Sequence, residues 1–117
     1  RFPLMFSEGV MKKRKTPVEF ARLCALNPAK LFGMYPKKGV IRPGSDADIV
    51  IMDPGRPYTV THDRLHENVD HTPYEGMRVE CDIDCVISRG EVIVKNNEFI
   101  GRKGRGQFIK RGKPLLG

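Results

Sequence analysis

Gly44-Ser45-Asp46-Ala47-Asp48-Ile49-Val50-Ile51-Met52-Asp53-Pro54 is the stretch on which the fold turns. Pro43-Gly44 is a turn signal, and Ser45, Asp46 and Asp48 are residues whose short polar side chains hydrogen-bond their own backbone in tight loops. Ile49-Val50-Ile51-Met52 follows as an unbroken apolar run, closed by the breaker Asp53-Pro54. Lack of alternation predicts burial on both faces, and therefore a strand over 48–52 central in its sheet.

Upstream of this stretch the pattern is helical. Leu4, Met5, Phe6, Val10 and Met11 fall on one face of a helix over residues 3–11, weakened by Gly9. Thr16-Pro17-Val18-Glu19 is a capping box with Pro at the first helical position, and Phe20, Leu23, Cys24 and Leu26 continue at helical spacing. Asn27-Pro28 has the same form, which predicts a third helix capped by Asn27 and stopped at Gly33.

Downstream the pattern turns to strand from residue 39 onward. Tyr58-Thr59-Val60 reads as a strand, Thr61 to Gly76 as irregular, and Met77 to Glu80 as another strand. Asp84 to Ser88, the turn Arg89-Gly90, Glu91 to Lys95, the turn Asn96-Asn97 and Phe99-Ile100 form a three-stranded meander. Helices first and strands afterwards, without βαβ alternation, describe an α+β chain. Such an order suits the end of one domain joined to the sheet of another.

Bulk composition narrows the classes. The 117 residues include 12 Gly and 9 Pro, so elements must be short. No apolar run approaches the ~18 residues of a membrane span, so a soluble chain with no membrane partner is expected. The first residues, Arg1 to Phe6, lack both an initiator Met and the flanks of a secretory signal, as expected of a segment of a longer protein. Cys24, Cys81 and Cys85 make an odd count without a CxxC, which fits reduced thiols and a cytoplasmic location. Of the net charge of +7, six units lie in Arg102, Lys103, Arg105, Lys110, Arg111 and Lys113.

Several groups invite a chemical reading. His62 and His66 are four apart, with Asp70 and His71 nearby, but without an HExxH the spacing is equally that of a solvated loop. Cys81 and Cys85 share a strand face with Cα atoms about 13 Å apart, beyond disulfide reach, and read as small buried hydrophobes. Asp46/Asp48 and Asp82/Asp84 flank strand ends, where Asp is common for conformational reasons. Gly101 to Gly112 mixes Gly, cations and Phe108, a composition that could neutralise phosphates and stack a base. Against that nucleic-acid reading, an extended arm passing close to another surface is favoured, because no basic folded face accompanies it. Lys12 to Lys15 reads as a solvated turn between helices rather than a localisation patch. Neither a phosphate loop nor a nucleophile elbow surrounds Ser7, Ser45 or Ser88.

Ser7-Glu8-Gly9-Val10, Asn27-Pro28-Ala29-Lys30-Leu31-Phe32-Gly33, Gly44 to Asp48, Tyr74-Glu75-Gly76-Met77 and Gly101-Arg102-Lys103-Gly104-Arg105-Gly106 together resemble the C-terminal part of dihydropyrimidinases and D-hydantoinases. These are metal-dependent cyclic amidohydrolases. The resemblance implies a longer parent with a (β/α)₈ barrel and a composite β-sandwich. Residues 1–38 would then be closing helices of the barrel, 39–101 a segment of the sandwich, and 102–117 a basic C-terminal arm. It further implies a two-metal zinc centre with a carboxylated lysine, whose ligands lie upstream of Arg1, opening dihydropyrimidine or hydantoin rings. By that resemblance this segment has no catalytic or metal-binding residues and binds no zinc itself. Its partners would be the rest of its parent chain and further copies in a homo-oligomer, a tetramer by family pattern. Gly104, Arg105, Gly106, Gln107 and Phe108 would lie at a subunit interface. A non-enzymatic, dihydropyrimidinase-like scaffold protein shares the same resemblance and stays open beside the enzyme.

Overall fold

The computed structural model describes residues 1–115, so Leu116 and Gly117, the end of the expected arm, lie outside the described residues. Helix α1, Phe2–Phe6, runs directly into a π-helical turn, Ser7–Met11. Thr16 then caps α2, Pro17–Ala21: its hydroxyl accepts the Glu19 N–H at 3.2 Å while the Glu19 carboxylate accepts the Thr16 N–H at 2.8 Å. Both halves of the expected capping box are present. The Lys12–Lys15 turn between these helices is exposed, with Lys12 paired to Glu8 at 2.7 Å.

The third helix differs from its expected start. Helix α3 spans Asn27–Leu31, but Asn27 is itself helical (φ −63°, ψ −46°) and makes no side-chain cap. A π-helical segment, Arg22–Leu26, joins α2 to α3 without a break. The wider turn supplies a place for Pro28, which brings no N–H and would crowd the carbonyl four residues back in a regular α-helix. The stop is where the sequence puts it, with Gly33 at φ +66° and Met34 and Tyr35 both donating to the Ala29 carbonyl.

Strand structure begins only at β1, Ile49–Asp53, rather than soon after residue 39. β2 is Tyr58–Thr59, β3 Arg78–Val79, β4 Asp82–Ser88, β5 Glu91–Lys95 and β6 Glu98–Phe99. A four-stranded antiparallel sheet has the order β1-β4-β5-β6, and β2 pairs with β3 separately. The expected meander is therefore β4-β5-β6. Its turns place Arg89, Gly90, Asn96 and Asn97 all at positive φ, the geometry that matches two-residue connections to strand twist.

The expectation for 48–52 is corrected in position and burial. β1 is an edge strand, β4 and β5 are the strands with a neighbour on each side, and Val50 and Ile51 are 37% and 45% exposed. An apolar run specifies burial but cannot say what covers it. Among the described residues no strand pairs with the outer edge of β1.

The buried apolar residues are few: Val79, Cys81 and Cys85 on or beside the strands, Val60 just after β2, and Ala29 in α3. Ser7, fully buried, ties the two parts by accepting the Glu80 N–H at 3.0 Å. Close by, the Cys81 thiol donates to the Pro3 carbonyl at 3.4 Å.

Candidate functional site

Between the helices and β1 lies an open groove of about 940 Å³. Phe2, Phe6 and Phe20 build its helical wall, with Phe20 meeting both rings edge-on at centroid distances of 6.2 and 5.3 Å. Ile49, Val50 and Met52 supply the opposite wall. Its polar corner is a cluster formed by Lys38, Asp46 and Asp48.

That corner is where the loop quoted at the outset has gone. The Ser45 hydroxyl donates to the Pro36 carbonyl at 2.7 Å, and the Asp46 N–H to the Lys37 carbonyl at 2.9 Å, laying residues 44–48 against the chain that follows α3. Asp46 pairs with Lys37 at 2.9 Å and Lys38 at 2.8 Å, while Asp48 pairs with Lys38 and accepts the Arg89 N–H at 2.8 Å. Gly90 adds a bond from its N–H to the Ala47 carbonyl at 3.0 Å. Helix end, loop and hairpin tip thus meet at one ion cluster.

The electrostatics make this corner a clamp rather than an acid–base pair. Hydrogen bonds from Lys38 and Lys37 hold the Asp46 carboxyl below the usual range. Burial pushes Asp48 up, but Lys38 and the Arg89 N–H outweigh it and the net direction is down. Burial likewise opposes the charge on Lys38, and the two carboxylates overcome it, raising its pKa. Charged forms are favoured on all three groups, so a proton is hard to move among them.

The other candidates are dispersed. His62 lies 2.9 Å from Asp63, His66 reaches the Asn97 carbonyl at 3.1 Å, and His71 lies 3.0 Å from Asp70. Asp82 pairs with Arg64, and Asp84 with Lys95 at 2.7 Å and Arg56 at 3.2 Å. Cys81 is fully buried and burial, with help from Asp82, pushes its thiol up to about 11. Such a thiol is a structural group, as is the buried Cys85. Among the described residues no group of three or more His, Cys, Asp or Glu side chains could hold a metal ion.

Of the arm residues, Arg105 is tied to its own chain: it donates to the Ser88 carbonyl at 2.7 Å and pairs with Glu91 at 3.2 Å. Gly104 sits at φ +76°, and Gly106, Gln107 and Phe108 are exposed, Phe108 by 94%. The long-range contacts of Lys38, Arg89 and Gly33 escape a sequence reading. Each depends on a partner distant in the chain.

The amidohydrolase family matches residues 5–93, well over half of the sequence. The chain belongs to the amidohydrolase family. A D-phenylhydantoinase of Escherichia coli (strain K12 / DH10B) is 45% identical over 116 residues, covering 99% of this chain and 25% of that protein. The crystal structure of a dihydropyrimidinase from Brevibacillus agri NCHU1002 superposes with a TM-score of 0.95 at 43% identity, over 100% of this chain and 25% of the other. The L-hydantoinase (dihydropyrimidinase) from Arthrobacter aurescens superposes with a TM-score of 0.89 at 34% identity, over 93% of this chain and 24% of the other. The chain thus spans 25% of the length of the curated relatives it matches. Family membership places the resemblance drawn from the sequence motifs on firm ground.

Proposed function

We propose that this chain is the C-terminal segment of a cyclic-amide hydrolase of the dihydropyrimidinase or hydantoinase type, and that its task is architectural. Residues 1–38 close the barrel of the parent, 39–101 belong to its composite β-sandwich, and 102–117 form its C-terminal arm. The observation that carries the reading is the likeness of the whole chain to 25% of a dihydropyrimidinase, at 43% identity and a TM-score of 0.95. Two features of the molecule support it. The apolar groove and the unpaired edge of β1 are surfaces that a larger body would cover, since contiguous exposed apolar surface and open strand edges are liabilities in a free protein.

A family of this kind works with a metal centre, and zinc with a carboxylated lysine is the expected form. The described residues do not fit such a centre: their histidines engage separate partners, and their carboxylates are neutralised by Lys and Arg. Ring opening is therefore assigned to the remainder of the parent. The substrate is a cyclic-amide small molecule, the location cytoplasmic, and the working assembly a homo-oligomer to which exposed Gln107 and Phe108 contribute contacts.

The test compares the 117-residue segment with the full-length parent, each incubated with zinc, dihydrouracil and hydantoin. Hydrolysis by the parent and none by the segment is the expected outcome. Zinc-dependent turnover by the segment, or an inactive parent that retains its fold, would overturn the reading.

A further inference from the structure

The C-terminal arm leaves the sheet, crosses the molecule and returns to the helices. Its first attachment is a reciprocal pair of guanidinium contacts: Arg105 donates to the Ser88 carbonyl at 2.7 Å, and Arg89 donates to the Arg105 carbonyl. Glu91 supplies a carboxylate to this junction, 3.2 Å from Arg105 and 3.6 Å from Arg102. The second attachment is backbone to backbone at the end of α3. Gly112 donates to the Gly33 carbonyl at 2.7 Å, and Leu115 to the Lys30 carbonyl at 3.0 Å.

Glycine is required at the second point. A Cβ at residue 33 would overlap the Gly112 carbonyl, and Gly33 is held at φ +66°. The Asn-Pro-Ala-Lys-Leu-Phe-Gly motif therefore does more than stop a helix. It leaves a bare backbone surface, with the carbonyls of Lys30 and Gly33 accepting the N–H groups of the returning arm.

We infer that residues 105–115 are an intramolecular strap, fastened by Arg105 to the β4–β5 hairpin and by Gly112 and Leu115 to the C-terminal end of α3, that holds the sheet and the helices together. This goes beyond the assembly role proposed for the arm and does not depend on the parent's activity. The strap restricts that role: Arg105 and Gly112 are occupied within their own chain, while the span between them, with Phe108 94% exposed, is left to meet another molecule. Two-point attachment makes the fastenings interdependent, because each raises the effective concentration of the other.

Hydrogen exchange at single-residue resolution on the full-length parent tests this. The Gly112 and Leu115 amides are expected to exchange well below the random-coil rate. In Arg105→Ala, both should exchange faster by on the order of tenfold or more, although the substitution lies far from them along the chain. Glu91→Gln, which leaves every arm residue unchanged, should act in the same direction and serves where Arg105→Ala fails to fold. Random-coil exchange at Gly112 in the unsubstituted protein, or exchange at Gly112 and Leu115 unmoved in a folded variant, would overturn the strap.

Discussion

The hydroxyl of Ser7 accepts the backbone N–H of Glu80 at 3.0 Å in a site closed to solvent. The helical part and the strands are joined there by one side chain with a single buried acceptor. Ser7→Ala would leave that N–H without a partner at a cost of about 1–3 kcal/mol. Urea unfolding of the parent protein should show a lower midpoint with an unchanged m-value, and an unaltered midpoint would remove Ser7 from the junction.

The capping box at Thr16 is a local device, and its loss should be felt locally. Thr16→Ala should destabilise by about 0.5–2 kcal/mol. Increased exchange at the Glu19 amide, which Thr16 caps, is the specific readout.

The Lys38 clamp predicts two pH limits. Asp46 and Asp48 have depressed folded pKa values, so their contribution is present above the ordinary carboxylate value of about 3.9 and is lost as pH falls through the lower folded values. Lys38 has a raised folded pKa, so its contribution is present below about 10.4 and is lost as pH rises through the higher folded value. Lys38→Met should flatten both arms of a stability-versus-pH curve measured by urea unfolding. A curve of unchanged shape would show that the clamp does not couple to folding.

Ile51 distinguishes the segment from its parent. It is 45% exposed on the edge strand here, so Ile51→Lys should cost the isolated chain less than it costs the parent. In the parent, where this edge is proposed to be covered, the same substitution buries an unpaired charge. A loss of more than ~2 kcal/mol there, by thermal or urea unfolding, is expected. Equal effects in both proteins would place solvent over this edge in the parent as well.

Cys81 should resist alkylation. With its thiol pushed up to about 11, roughly one molecule in ten thousand carries the thiolate at pH 7. Iodoacetamide should therefore label the partly exposed Cys24 first, and Cys81 only at the rate of unfolding, as read by peptide mass spectrometry.

Features determined by short-range chemistry were legible in the sequence. The Thr16 box, the Gly33 stop and the two hairpin turns were readable because a cap or turn needs only residues a few positions apart. Asn27-Pro28 misled because the same dipeptide that opens a helix also fits inside one when a π-turn precedes it. Gly44 to Asp48 was readable as a turn but not as a junction, since Lys38 and Arg89 enter only through the fold.

The sequence by itself determined the family and the order of helices before strands. Only the tertiary structure decided that β1 lies at an edge, that Lys38 is shared between two aspartates, and that Gly112 lies against Gly33. Hydrophobic pattern and turn chemistry act within a few residues of chain, whereas edge position, ion pairing and close backbone approach depend on which distant segments the fold brings together.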